Sequence, residues 1–128
     1  MIKDILLSIH PKWSSKIYSG EKTIEWRKTE PKTIHSHRVY IYETSPIKAV
    51  TGYFICHRCF YCDVNKIENY PGALESGCVP LDDLKKYQGM SSAIYGWFVR
   101  DVVKFATPQP LSHYGVDRPP QSWQYVEY

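Results

Sequence analysis

The helical segments of this chain are short, and this limits the folds that it can adopt. Pro11 suits the first turn of a helix, and Gly20 suits the left-handed position just beyond its end. Pro80 and Gly89 enclose a second short segment in the same way. Few long crossover helices are therefore available to connect parallel strands. This favours a small antiparallel or mixed sheet over a doubly wound one.

Segments between the helices alternate as β-strands do. Ile24 and Trp26 point to one face of a predicted strand, whereas Glu25 and Arg27 point to the other. Predicted strands cover residues 4–9, 23–28, 38–43, 49–61 and 93–105, the last interrupted near residues 100–101. Gly52 marks a bulge or a close approach, and the residues from 107 onward predict an irregular tail. We expect an α+β fold, a β-barrel of about five or six mixed or antiparallel strands with two or three short helices.

Composition indicates one ordered domain, residues 1–128. Hydrophobic residues make up 43% of the chain and aromatic residues 15%, which is enough for a core and argues against disorder. No apolar run approaches the roughly 18 residues of a membrane span, and the apolar segment near the N-terminus is too short for a signal peptide. We therefore expect a cytoplasmic protein without a membrane partner, whose cysteines stay reduced.

Charge is modest overall and uneven along the chain. The formal net charge of +3 excludes a strongly cationic nucleic-acid coat. Residues 1–48 carry nine Lys/Arg against five Asp/Glu, whereas residues 49–128 carry seven against eight. A basic N-terminal half is compatible with phosphate binding.

The segment from Ser19 to Lys28, SGEKTIEWRK, resembles the signature of the ASCH family, roughly G-x-K-x-x-E-x-R after a short helix. Further motifs agree in order and spacing: Pro11-Lys12-Trp13, residues 38–46, residues 48–52, Tyr95-Gly96-Trp97-Phe98-Val99 and Pro119-Pro120-Gln121-Ser122-Trp123. ASCH domains belong to the PUA-like superfamily. The resemblance implies a small PUA-like barrel with a cleft beside the signature for RNA or a nucleotide. It also implies several activities, because some members look like RNA-binding modules, some cleave RNA, and one branch hydrolyses N4-acylated cytidines.

The signature supplies the main candidate site. From the residues alone, Glu25 and Arg27 form either a solvated surface ion pair or, with Lys22, a ligand cleft. Arg27 suits a phosphate or a base edge, and Glu25 suits a base amino group or a proton. Lys22 suits phosphate, or chemistry if burial lowers its pKa. We predict Lys22 and Glu25 as catalytic residues, and Arg27 and Lys28 as ligand-binding residues.

Other candidates supply stacking surfaces and a turn. Tyr95, Trp97 and Trp123 are the predicted base-stacking residues, a contact worth roughly 1–3 kcal/mol per base, with core packing as the alternative. Ser45, which precedes Pro46, offers a hydroxyl or backbone amides to phosphate, with an ordinary turn as the alternative.

Two other functions stay open. The acylcytidine-hydrolysing branch resembles this chain at Lys22, but Glu25 stands where that branch has a threonine, and Asp83 is the nearest match to its glutamate. A hydrolase of a modified nucleoside is therefore one alternative. The other is a non-catalytic module that binds a protein, which the modest net charge allows.

The cysteines and histidines suggest metal binding at first sight. Four thiols suit a structural zinc site, but residues three apart in a strand face opposite ways, so we expect no metal and no cofactor. The zinc alternative would use Cys56, Cys59, Cys62 and Cys78. His35 and His37 share a face if extended, and we expect both to be surface residues.

Overall fold

The computed structural model describes residues 3–32 and 36–127, and in this part of the chain eight strands alternate with short helices. The strands are β1 (Asp4–Ile9), β2 (Ile24–Arg27), β3 (His37–Glu43), β4 (Ala49–Cys56), β5 (Cys59–Cys62), β6 (Ile94–Phe98), β7 (Arg100–Gln109) and β8 (Trp123–Val126). The α-helices are α1 (Pro11–Ser19), α2 (Ala73–Gly77) and α3 (Leu81–Gln88), and two 3₁₀ segments cover Val64–Asn69 and Leu111–Tyr114. The predicted mixed α+β character is confirmed.

The strands form two sheets. The larger has the order β7-β4-β3-β1-β8, and the smaller has the order β2-β6-β5. Only β1 and β3 pair in parallel, and every other pairing is antiparallel. Neither sheet closes on itself among the described strands, so the barrel stays a prediction, and the expected five or six strands are corrected to eight.

Three apolar clusters cover the faces of these sheets. The first lies on the inner face of the larger sheet, where Leu7, Ile41 and Phe54 pack with Ile17 of α1 and Trp97 of β6. The second packs the smaller sheet against the segments between β5 and β6, and the third covers the outer face of the larger sheet. Trp97 of β6 lies in the first cluster, and Ile24 and Trp26 of β2 lie in the second, so the smaller sheet packs against an apolar cluster on each face.

Helix α1 begins and ends as its sequence predicts. The His10 side chain accepts a hydrogen bond from the Lys12 backbone N–H at 3.0 Å. Gly20 has a φ of 87°, and its N–H reaches the Ile17 carbonyl at 3.1 Å. This left-handed turn reverses the chain, so that the Lys22 backbone N–H bonds the Lys16 carbonyl at 3.0 Å. The turn therefore places Lys22 beneath the helix.

Several predicted boundaries are wrong. The long strand over residues 49–61 is two strands in different sheets, separated at residues 57–58. The predicted irregular tail contains β8, which pairs with β1. The interruption predicted near residues 100–101 is confirmed and falls at Val99, between β6 and β7. These features depend on pairing between distant segments, which periodicity does not report.

The structure tests the predictions made for Gly52 and for His37. The Gly52 prediction is confirmed, because a Cβ there would collide with the Val103 carbonyl and the β3–β4 register shifts beside it. The prediction for His37 is wrong, since it is 2% exposed and its Nδ1 lies 2.7 Å from the Lys3 carbonyl. His35 lies outside the described residues. No helix in the described part of the chain is long and apolar enough to cross a bilayer.

Candidate functional site

Lys22 is a buried cation, with 1% of its surface exposed. Its ammonium group lies 3.4 Å from Glu25 Oε1 and donates to the carbonyl of Gly77, the last residue of α2. It also lies 5.4 Å from the centre of the Trp13 ring. Burial lowers the pKa of Lys22, and the Glu25 carboxylate opposes that change only in part. A buried amine with a lowered pKa gives up its proton more readily than a surface lysine does.

Glu25 joins Lys22 to Arg27. Its Oε2 accepts two hydrogen bonds from the Arg27 guanidinium, at 2.7 Å from Nη2 and 2.9 Å from Nε. Arg27 also donates to the Ser8 carbonyl at 2.9 Å and to Ser122 Oγ at 3.2 Å. The guanidinium is therefore fixed by three separate segments of the chain, at the ends of β1 and β2 and in the segment before β8.

The three side chains form one buried row with alternating charge. The side chains of Lys22, Glu25 and Arg27 are 1%, 6% and 11% exposed. The alternative that Glu25 and Arg27 form a solvated surface pair is therefore wrong. Desolvation of such charges costs several kcal/mol per ion, and only close pairing and hydrogen bonds offset it. The row carries two positive charges and one negative charge, which suits an anion more than a cation.

A cleft of about 310 Å³ opens above this row. Trp13 of α1 lies on one side, and Tyr87 and Asp83 of α3 lie on the other. The remaining lining residues are Lys22, Glu25, Trp26, Arg27, Val79 and Leu84. The cleft thus has a charged floor and aromatic residues in both of the helices that border it.

Two exposed lysines stand over the aromatic rings of the cleft. The Lys12 ammonium lies 4.8 Å from the Trp13 ring centre, and that of Lys28 lies 5.1 Å from the Tyr87 ring centre. Lys28 is therefore at the edge of the cleft. Sequence reasoning did not identify Trp13 or Tyr87 as site residues. For Tyr87, a signal existed in its spacing of four from Asp83, which places both on one face of α3.

The aromatic residues predicted for stacking lie elsewhere. Trp97 is 0% exposed and donates its indole N–H to the Thr29 carbonyl at 3.0 Å, so it has no open ring face for a base and that prediction is corrected. Trp123 is half-buried, bonds Thr29 Oγ1 at 2.9 Å and contacts Trp97 edge to face. Tyr95 is half-buried against Tyr61. None of the three lines the cleft.

Ser45 also lies apart from the cleft lining. It is exposed in the turn after β3, and a cis peptide bond joins it to Pro46. The same turn is tied to the end of β1, because the Thr44 backbone N–H donates to the Ile9 carbonyl at 2.9 Å. A phosphate contact at Ser45 therefore stays a prediction separate from the cleft.

The cysteines do not come together as a metal site. No group of three or more His, Cys, Asp or Glu side chains within residues 3–32 and 36–127 is arranged to hold a metal ion. Cys56 and Cys59 are neighbours, with their sulfur atoms 3.7 Å apart. Cys62 lies in the second apolar cluster, and Cys78 follows α2 and donates to the Glu21 carbonyl. The four-cysteine zinc alternative is not formed.

A family model described as the ASCH domain matches residues 7–106, which include the whole charged row. The chain belongs to the ASCH family. An "ASCH domain-containing ribonuclease" from Zymomonas mobilis is 35% identical over 65 residues, which are 51% of this chain and 44% of that protein. The match therefore spans less than half of the relative's length.

Solved ASCH structures share the fold across nearly the whole chain. The crystal structure of ASCH from Zymomonas mobilis has a TM-score of 0.83 at 26% identity, covering 98% of this chain and 88% of that one. A mutant of the same ASCH protein also gives a TM-score of 0.83, at 25% identity, covering 98% and 91%. The arrangement of sheets and helices described above is thus an ASCH arrangement.

Proposed function

We propose that this ASCH domain binds single-stranded RNA or a nucleotide in the cleft above Lys22, Glu25 and Arg27. The observation that carries the proposal is the buried, net positive row of charges beneath a cleft bordered by two aromatic side chains. Phosphate needs fixed donors, and a base needs a flat apolar face. Both occur within this one cleft.

Each part of a nucleotide has a partner of suitable chemistry in this site. Arg27 is oriented by Glu25, by the Ser8 carbonyl and by Ser122, and a phosphate would use its positive charge and the second N–H of Nη1. Trp13 and Tyr87 offer rings for stacking, worth roughly 1–3 kcal/mol per base. Lys12 and Lys28 are exposed beside those rings and extend the positive surface to neighbouring phosphates.

The same site is equipped to cleave RNA, and the relative named as a ribonuclease supports this step of the proposal. The 2′-hydroxyl of a bound nucleotide would attack the adjacent phosphorus while the Glu25 carboxylate takes its proton. Arg27 would stabilise the negative charge that develops on the phosphate oxygens. The Lys22 ammonium would give its proton to the 5′-oxygen as the P–O5′ bond breaks, which leaves a cyclic phosphate and a free 5′-hydroxyl end.

Binding of short single-stranded RNA at about 50 and 200 mM salt tests the proposal. We expect salt-dependent binding by the wild type, and loss of most of it in Lys22→Met, which keeps the length of the side chain. Lys66→Met is the matched control, because Lys66 is exposed and lies outside the cleft lining. Equal binding by wild type and Lys22→Met, both folded by circular dichroism, would contradict the assignment of the site.

A second candidate function rests on Asp83. It lines the same cleft as Lys22, so the two residues that match the acylcytidine-hydrolysing branch share one site. Glu25 has no hydroxyl nucleophile to offer, so water would have to attack the amide carbon, with a carboxylate as base. Release of acetate from N4-acetylcytidine, lost in Asp83→Asn, would support this function. No turnover at high enzyme concentration would exclude it.

We also propose that the protein acts in the cytoplasm. All four cysteines are free thiols. Thiols keep this state in a reducing compartment, where disulfides are transient. RNA ligands are available in the same compartment, so the location agrees with the proposed function.

A further inference from the structure

Two thiols meet where the chain passes from the larger sheet to the smaller one. Cys56 is the last residue of β4, and Cys59 is the first residue of β5. Their sulfur atoms lie 3.7 Å apart in hydrogen-bond contact. A disulfide bond is about 2.05 Å long, so the sulfur atoms need to approach by only about 1.7 Å to form one. His57 and Arg58 alone separate the two residues, which is the C-x-x-C spacing of redox-active dithiols.

We propose that Cys56 and Cys59 are a redox-active dithiol that a hydroperoxide oxidises to an intramolecular disulfide. In the first step the Cys56 thiolate attacks one peroxide oxygen and becomes a sulfenic acid, while the other oxygen leaves as water after taking up a proton. In the second step Cys59 attacks the sulfur of Cys56, and the sulfenic oxygen leaves as a second water. Two thiols and one hydrogen peroxide thus give one disulfide and two waters.

The surroundings of Cys56 and Cys59 differ, and this difference assigns one sulfur as the attacking group and the other as the resolving group. Cys56 is 2% exposed, whereas Cys59 is half-buried and reaches the surface. The Cys59 thiol and backbone groups of Arg58 and Phe98 lower the pKa of Cys56, and the pKa of Cys59 is raised. With its sulfur 3.7 Å away, the Cys59 thiol can donate a hydrogen bond to a Cys56 thiolate, so in this proposal Cys56 attacks and Cys59 resolves the intermediate. Because Cys56 is 2% exposed, the proposed oxidant is a small hydroperoxide rather than a bulky disulfide.

The other two cysteines lack this arrangement. Burial raises the pKa of Cys62 to about 11, and its side chain is enclosed in the second apolar cluster. The Cys78 sulfur contacts the carbonyls of Glu21 and Glu75 and has no neighbouring cysteine sulfur within hydrogen-bond distance. The two residues therefore serve as internal controls within the same chain.

Thiol labelling and mass measurement of the folded full chain test the proposal. After brief treatment of the folded chain with hydrogen peroxide, followed by denaturation and alkylation, we expect the mass before alkylation to fall by about 2 Da and two of the four thiols to resist alkylation. Dithiothreitol should restore all four, and peptide mapping should link Cys56 to Cys59. Four alkylated thiols after peroxide, or a link that involves Cys62 or Cys78, would overturn the proposal.

Two variants separate the roles of the sulfurs. Cys59→Ser should stop at the sulfenic acid, which dimedone traps on Cys56, whereas Cys62→Ala should still lose two thiols and form the link. Dimedone labelling on another residue of Cys59→Ser would remove Cys56 from the mechanism. If either variant fails to fold, peptide mapping of the wild type decides the question alone.

Discussion

The two faces of β2 are both buried, but they are buried by different chemistry. Ile24 and Trp26 pack into an apolar cluster, whereas Glu25 and Arg27 lie in the charged row with Lys22. The apolar face is stabilised by removal of surface from water. On the other face, each charge depends on its neighbour, because an unpaired ion in the interior is strongly unfavourable. The comparison teaches that a strand four residues long can contribute to an apolar core on one face and to a buried row of charges on the other.

The largest loss of stability is expected when Glu25, which lies between Lys22 and Arg27 in the charged row, loses its charge. Glu25→Gln leaves Lys22 and Arg27 as two buried cations without their shared carboxylate, and we expect it to destabilise the fold by about 3–5 kcal/mol. Urea unfolding followed by tryptophan fluorescence measures the change. The double variant Glu25→Gln, Lys22→Met should regain part of the loss. A single variant as stable as the wild type would show that the row is not coupled in this way.

A smaller loss is expected on the apolar face. A Cβ on Gly77 would collide with the indole nitrogen of Trp26, so Gly77→Ala should cost about 1–3 kcal/mol despite the better helix propensity of alanine. Glu75→Ala, at an exposed position in the same helix, is the control and should change stability by less than about 0.5 kcal/mol. The Gly77 carbonyl accepts a hydrogen bond from Lys22, so Gly77→Ala should also weaken RNA binding. Unchanged RNA binding would show that packing on the apolar face of β2 does not affect the charged row on its other face.

The lowered pKa of Lys22 predicts a pH effect of a known sign. Consider the pH range between the lowered pKa of Lys22 in the folded chain and the ordinary lysine value of about 10.4. In that range the unfolded chain binds more protons than the folded chain, so the contribution of Lys22 to the free energy of unfolding rises with pH. Relative to Lys22→Met, the wild type should gain on the order of 1.4 kcal/mol for each unit by which the pKa is lowered. Unfolding free energies of both proteins from neutral to alkaline pH measure this gain. A constant difference would contradict it.

The smallest effect is expected for the exposed cation that follows β2. Lys28→Met should leave stability within about 0.5 kcal/mol of the wild type, because Lys28 is exposed. It should weaken RNA binding a few-fold and reduce the salt slope by about one. Binding titrations at several salt concentrations measure both quantities. An unchanged slope would place the RNA away from this edge of the cleft.

Local signals in the sequence predicted much of this strand and its neighbours. Pro11 and Gly20 set the limits of α1, and alternation assigned Ile24 and Trp26 to one face of β2, since each signal acts within a few residues. The structure also brings Lys22, Glu25 and Arg27 together, as the signature suggests. That these charges are buried was not predicted, because the elements that cover them come from other parts of the chain.

The rest of the fold and of the site depends on distant contacts. Strand β8 pairs with β1, with Trp123 opposite Leu7, and the residues around Trp123 give no local sign of that partner. The Pro11-Lys12-Trp13 motif gives no sign that Trp13 lines a cleft, because the other wall of that cleft comes from α3, far along the chain. Sequence periodicity reports which residues share a face, but not which element that face meets.

Arg27 contacts segments that are far apart in the chain, and the more distant of these contacts depends on residues near the C-terminal end of the sequence. Its partner Ser122 is 95 positions away, and Ser8 is 19 positions away. Contacts of such separation form late in folding, since a long loop must close first. A chain still being synthesised therefore lacks the Ser122 contact, and the guanidinium gains it only when the segment before β8 docks beside β1.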